Sequence, residues 1–289
     1  MDNPLYRIPG TTKYFERLAK QIEAYKREDP TSIPQLAVPV ALPKHLIRQA
    51  LKEPYKVKAK AMADLVNIAF YYLLRVGEYT KPHRGERLTV PFRVGDVTFR
   101  KDNRILPLNS PLELLLQADS AVLCISNQKN GEKGQTIHQD ALYTLECPIK
   151  SLARRVFHVL YHGGDASTPL YWVWEHPTKK PYYVSPNDIT KTVRKGARQI
   201  GLFQETVGYK EDEISSHSLR AGGAMAMHLN GASPDDIMKV GRWKSRTFLM
   251  YIHEQISAFA AGLSYKMSTD IPFRSIRPAR LNPPAASAA

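Results

Sequence analysis

Cysteine is nearly missing from this chain: Cys124 and Cys147 are the only two in 289 residues, and no C-x-x-C pair occurs. A disulfide framework and a zinc ribbon are therefore both excluded, and a reducing, intracellular setting fits. Acidic side chains are also in short supply, 27 against 41 Lys and Arg, which leaves a formal charge of +14. No run approaches the ~18 consecutive apolar residues of a membrane span. The opening MDNPLYRIPG lacks the basic-then-apolar order of a signal peptide. There is no G-x-x-x-x-G-K-[ST] loop, which argues against an ATP-driven translocase. His158 and His162 stand at i, i+4 without the intervening acid of H-E-x-x-H, so they do not read as a zinc pair. No metal or other cofactor is expected.

What remains is an ordinary globular composition, 43% apolar and 24% charged, on a chain long enough for one large or two small domains. The excess of cations points to a polyanionic partner. Nucleic acid fits best, because Lys and Arg contacts to phosphates release counterions and supply most sequence-independent affinity.

The periodicity predicts a helix over 12–27, then a connector, DPTSIPQLAVPVALP, whose prolines resist regular structure. Ala61, Leu65, Ile68, Ala69, Tyr72 and Leu73 recur at helical spacing, which predicts a helix over 57–75 that Gly77 ends. RLTVPF, VGDVTFR and RILPLN read as short strands. AVLCISNQ and GQTIHQD bracket the turn KNGEK, where Asn130-Gly131 signals a hairpin, so the region forms a small antiparallel sheet. Helices return over 149–162, 187–200 (opened by Ser185-Pro186), 217–229 (closed by Asn230-Gly231), and 234–240 (opened by Ser233, stopped by Gly241), with another from about residue 245. RSIRPARLNPPAASAA has the composition of a disordered tail. No internal repeat is visible. Tyr71, Tyr72, Tyr171, Tyr182 and Tyr183 fall in apolar or turn contexts and read as packing residues.

The stretch HSLRAGG carries chemistry. His217 and Arg220, three apart on a helix, share one face, and Ser215 or Ser216 can cap the helix start. An imidazole and a guanidinium beside free backbone N–H groups make an anion site, although an isolated H-x-x-R also occurs on ordinary surfaces. Its surroundings add weight. Upstream stand LLRVGE, with Arg75 and Glu78, and the hairpin turn with Lys129; downstream stand GRW, with Trp243, and Tyr251.

In that order, Arg75, Glu78, Lys129, His217, Arg220, Trp243 and Tyr251 resemble the active-site set of the tyrosine recombinase (phage integrase) family. The resemblance runs from Leu46 to Lys266. It departs in one place: Trp243 and Tyr251 are one residue closer than in many bacterial and phage members. It implies an α+β, mainly α-helical catalytic domain with a small antiparallel β-sheet, over 46–270, between an arm at 1–45 and a tail at 271–289. Members usually carry a helical core-binding domain before the catalytic one. The arm is too short for that, so the expectation is a fragment or a shorter grip on DNA. The implied activity is site-specific recombination or integration through a 3′-phosphotyrosyl link that needs no ATP. A type IB topoisomerase and a non-catalytic DNA-binding descendant stay open.

The chemistry assigns each residue a task independently. Arg75 and Arg220 would clamp the non-bridging phosphate oxygens, because a guanidinium fork matches them two-pronged and keeps its charge. Tyr251 would attack phosphorus, and with an ordinary pKa of about 10 it needs cationic surroundings or a base. Lys129 resembles the family's general acid for the leaving oxygen, with Lys133 in the same turn as competitor. Trp243 would give its indole N–H to a phosphate oxygen, and Glu78 would orient Arg75 or the histidine.

Lys191, Arg194, Lys195 and Arg198 form a basic stripe opposite Ile189, Val193, Ala197 and Ile200. This stripe, with Lys133, Arg242 and Lys244, makes the expected DNA-contacting set. QISAFAAGLSYKM, 255–267, is apolar enough to dock on a second copy, so a homo-oligomer on double-stranded DNA is expected, with no membrane contact.

Overall fold

The computed structural model describes residues 35–53, 55–82, 89–125, 134–175, 178–245 and 249. The helix expected over 12–27, the hairpin turn with Lys129 and Lys133, Tyr251, and the 255–267 segment all lie outside the described residues. Among the described residues no helix is long and apolar enough to cross a membrane.

The chain is mainly helical with a small antiparallel sheet, as expected. At its centre is α2 (Val57–Tyr71), which follows α1 (Ala41–Lys52). From Ala63 to Phe70 every residue of α2 is buried, so it is covered on all sides rather than on one stripe. Two residues of this buried stretch, Asp64 and Asn67, are polar. Asp64 accepts two hydrogen bonds from Arg154 Nε, at 3.0 and 3.2 Å. Asn67 Nδ2 donates to the Glu146 carbonyl at 2.9 Å and to Ser151 Oγ at 3.0 Å. These bonds pair Asp64 and the Asn67 amide N–H groups within the buried stretch, while Asn67 Oδ1 has no hydrogen-bond partner.

The helix ends earlier than the sequence suggested. Leu73 turns the backbone left-handed, φ 47°, and Gly77 lies within a further single turn, α3 (Val76–Tyr79). The connector also differs from expectation. Its last residues begin α1, where Pro43 sits in the first turn and removes no helical hydrogen bond. Val38 and Leu42 belong to the same core as α2. The folded unit therefore starts before residue 46.

A four-stranded antiparallel sheet follows, in spatial order β2-β1-β3-β4: β1 (Val97–Lys101), β2 (Arg104–Leu106), β3 (Ser120–Ile125) and β4 (Gln135–Asp140). RLTVPF contributes no strand among its described residues. Strands β3 and β4 form the expected hairpin, paired from Ser120↔Asp140 to Ile125↔Gln135. The one-turn helix α4 (Leu112–Leu115) lies between β2 and β3.

Helix α5 (Pro148–Tyr161) packs on α2. After it comes a second hairpin that the sequence reading did not find, β5 (Trp172–Glu175) with β6 (Lys180–Tyr183). Helix α6 (Pro186–Gln199) opens as expected: Ser185 Oγ accepts from the Asp188 N–H and Asp188 reaches back to the Ser185 N–H. Helices α7 (His217–Leu229) and α8 (Pro234–Gly241) complete the described chain. Gly223 lets α7 lie directly on α2, since a Cβ there would stand 2.3 Å from the Phe70 carbonyl oxygen. That close seating brings the side chains of the first turn of α7 to the C-terminal end of α2.

Candidate nucleic-acid interface

The central residue is Arg220, in the first turn of α7 and 6% exposed. Its Nη1 donates to the Leu73 carbonyl at 2.5 Å, and its Nη2 donates to the Gly241 carbonyl. The guanidinium also lies over the Trp243 ring, 4.3 Å from its centroid. Both carbonyls are at helix ends, where intrahelical partners run out, so Arg220 ties the ends of α2 and α8 to the start of α7. Trp243 packs against a small second core built on Leu73, Ala224 and Ile237. Only a glycine at 241 leaves room for its ring, since a Cβ there would come within 1.7 Å of it.

Glu78, 1% exposed, accepts from the Arg75 backbone N–H at 2.8 Å and from Arg75 Nη1 at 3.3 Å. Glu78 therefore holds Arg75 by both its backbone and its guanidinium. Its second partner is Arg242, with Nη1 to Oε1 at 2.8 Å and Nη2 to Oε2 at 2.9 Å. Burial alone would push the Glu78 carboxyl up. The Arg242 charge and hydrogen bonds, with those of Arg75, outweigh it and hold the group below its usual 4.5. Arg242 Nη2 also donates to the Leu73 carbonyl at 3.1 Å, the same oxygen that accepts from Arg220. Arg75, Glu78, Arg242, Leu73 and Arg220 thus form one continuous hydrogen-bonded chain.

Arg242 is a correction. Expected on the DNA-contacting surface, it is buried, because its left-handed backbone (φ 57°) turns the side chain inward onto Glu78. Lys244 is exposed, as is His217 at the start of α7. The His217 backbone N–H donates to Ser215 Oγ at 3.2 Å, so Ser215 rather than Ser216 supplies the cap. A cleft of about 490 Å³ opens beside the cluster, lined by Gln135 and Thr136 of β4 and by Lys239, Arg242, Trp243 and Lys244. The residues that lead into the hairpin turn therefore border the arginine cluster.

The basic stripe on α6 divides. Lys191 and Lys195 are exposed. Arg194 is half-buried and its Nε donates to the Ile214 carbonyl at 2.8 Å, while Arg198 pairs with Glu211 at 2.8 Å. Arg194 therefore holds the segment before α7 through its Nε. His158 Nε2 accepts the Trp174 backbone N–H at 3.0 Å, a structural tie between α5 and β5. Among the described residues no His, Cys, Asp and Glu cluster could hold a metal.

No family model and no curated protein matches the chain. Among solved structures it is similar to the crystal structure of XerA recombinase, at 14% identity over 89% of this chain and 78% of that one, with a TM-score of 0.46. It is also similar to the Tn1549 transposon integrase in complex with transposon right end DNA, at 11% identity over 83% and 68%, with a TM-score of 0.44. A second structure of that integrase, in complex with circular intermediate DNA, matches at 12% identity over 87% and 74%, with a TM-score of 0.43. Likeness at this level carries no argument about chemistry, which must come from the residues themselves.

Proposed function

We propose that this chain breaks and rejoins double-stranded DNA through a covalent phosphotyrosine, as a recombinase or integrase of the tyrosine type. One observation supports this reading above the others. Arg75 and Arg220, far apart in sequence, are joined through Glu78, Arg242 and the Leu73 carbonyl into one cationic cluster. That cluster borders the base of the hairpin and the start of α7. Two guanidinium groups held in place beforehand suit a phosphorane, whose added negative charge needs donors that do not have to reorganise.

In this reading the Tyr251 hydroxyl oxygen attacks phosphorus and loses its proton to a base. The bond to the 5′-oxygen breaks, and Lys129 or Lys133 delivers a proton to that oxygen. The products are a 3′-phosphotyrosyl link and a free 5′-hydroxyl. Attack by another strand's hydroxyl reverses the step, so the bond energy is conserved and neither ATP nor metal enters.

The test is a nicked suicide duplex incubated with the protein. The wild type is expected to form a covalent adduct that survives denaturation and Tyr251→Phe to form none. Absence of adduct from the wild type, or equal adduct from the variant, would refute the reading; DNA binding without adduct would leave a binding module in its place.

A further inference from the structure

We infer that Arg242 is a positioning residue, a buried brace that holds Arg75 and Arg220 in one fixed geometry for the phosphate. The inference rests on the phosphotyrosine reading and deepens it.

The Arg242 guanidinium meets both Glu78 oxygens, at 2.8 and 2.9 Å, with side-chain exposures of 3% and 1%. Glu78 in turn takes the backbone N–H and Nη1 of Arg75. The same Arg242 Nη2 reaches the Leu73 carbonyl at 3.1 Å, beside the Nη1 of Arg220 at 2.5 Å. One planar group thus shares an acceptor with each of the two arginines assigned to the phosphate. Two-pronged contact fixes orientation as well as distance, which a lysine ammonium cannot reproduce.

The local backbone supports a specific role. Arg242 adopts φ 57° and ψ 43°, a conformation that non-glycine residues rarely take and that persists when surrounding contacts over-determine it. Its Nε is buried and has no hydrogen-bond partner, an exception to the general pairing of buried donors. Helix α8 could end on a residue with neither burden. What this arginine adds is the link between the Glu78 and Leu73 acceptors. Its side chain, 3% exposed, forms part of the cleft wall and is turned onto Glu78.

The test is single-turnover adduct formation on the nicked duplex, with duplex affinity and melting temperature measured in parallel. Arg242→Lys keeps the charge and loses the fork. Its adduct rate per folded molecule is expected to fall about 100-fold, the scale of a misplaced catalytic group, with duplex affinity unchanged. Because an unpaired Glu78 can destabilise the fold, the double variant Arg242→Met with Glu78→Gln removes both charges. It is expected to fold and to remain as slow. The role is overturned if Arg242→Lys reacts at the wild-type rate, if its slowing disappears when corrected for folded protein, or if the double variant reacts like wild type. A wild type that forms no adduct defeats the phosphotyrosine reading and this role with it; a wild type and an Arg242→Lys variant that react alike defeat the role alone.

Discussion

Arg154 and Arg155 on α5 and Arg220 and Arg242 around α7 and α8 are all largely buried, yet the two pairs are held by different partners. Arg154 meets one carboxylate, Asp64, and the hydroxyl of Ser151. Arg155, 2% exposed, donates to the Leu170 carbonyl at 3.0 Å and to that of Trp172. Burial pushes the Arg155 guanidinium down to about 10, against a small opposing pull from Asp64. These contacts tie α5 to α2 and to the strand pair, and both arginines line a cleft of about 290 Å³. In the second region Arg75 and Arg242 meet one carboxylate, Glu78, and Arg220 and Arg242 share the Leu73 carbonyl at a helix end. A cleft borders this region too. Burial of an arginine therefore does not mark a site. The distinction lies in convergence: cations from separate elements gathered on one carboxylate and on carbonyls at helix termini.

Replacing Arg220 should separate the two regions most strongly. Arg220→Lys retains the charge and loses the fork, and the adduct rate should fall about 10²- to 10³-fold, the usual scale for one transition-state donor. Single-turnover kinetics on the nicked duplex would measure it. A rate within tenfold of wild type would place Arg220 with Arg155 as a structural tie.

Arg155→Met should do the opposite. It leaves two buried carbonyls without donors, so stability should drop by about 2 kcal/mol, from unsatisfied groups of ~1–3 kcal/mol each partly offset by packing. Adduct formation per folded molecule should not change. Denaturant unfolding and the same kinetic assay check both halves; a rate loss without a stability loss would erase the contrast.

The sequence revealed these regions unequally, for physical reasons. Helices α6, α7 and α8 were legible because their signals are local: Ser185 and Ser233 at the starts, Pro186 and Pro234 in the first turns, Asn230-Gly231 after α7. The β3–β4 hairpin was legible from Asn130-Gly131 between alternating runs. The start of α1 was hidden by prolines that look like breakers, though Pro43 falls where a helix tolerates one. Strands β5 and β6 were missed because they are short and Pro181 interrupts the pattern. The role of Arg242 was not visible, since its partner Glu78 is 164 residues away and an arginine beside a tryptophan in a turn resembles any surface cation. Fold-scale pairing of this kind has no local signature.

The smallest predicted effect concerns α6, where one stripe holds both kinds of cation. Lys191 and Lys195 are exposed, whereas Arg194 is committed to the Ile214 carbonyl. If the stripe meets DNA, each lysine neutralises a phosphate and contributes about 0.9 to the slope of log affinity against log salt. Lys191→Gln with Lys195→Gln should make that slope shallower by about 2 and weaken duplex binding without changing the melting temperature. Arg194→Gln should lower the melting temperature and leave the slope intact, because its donor serves the fold. An unchanged slope in the lysine pair would mean that this face of α6 is simply solvated. DNA contact would then be confined to the cleft between β4 and α8, where Lys239 and Lys244 stand beside the arginine cluster.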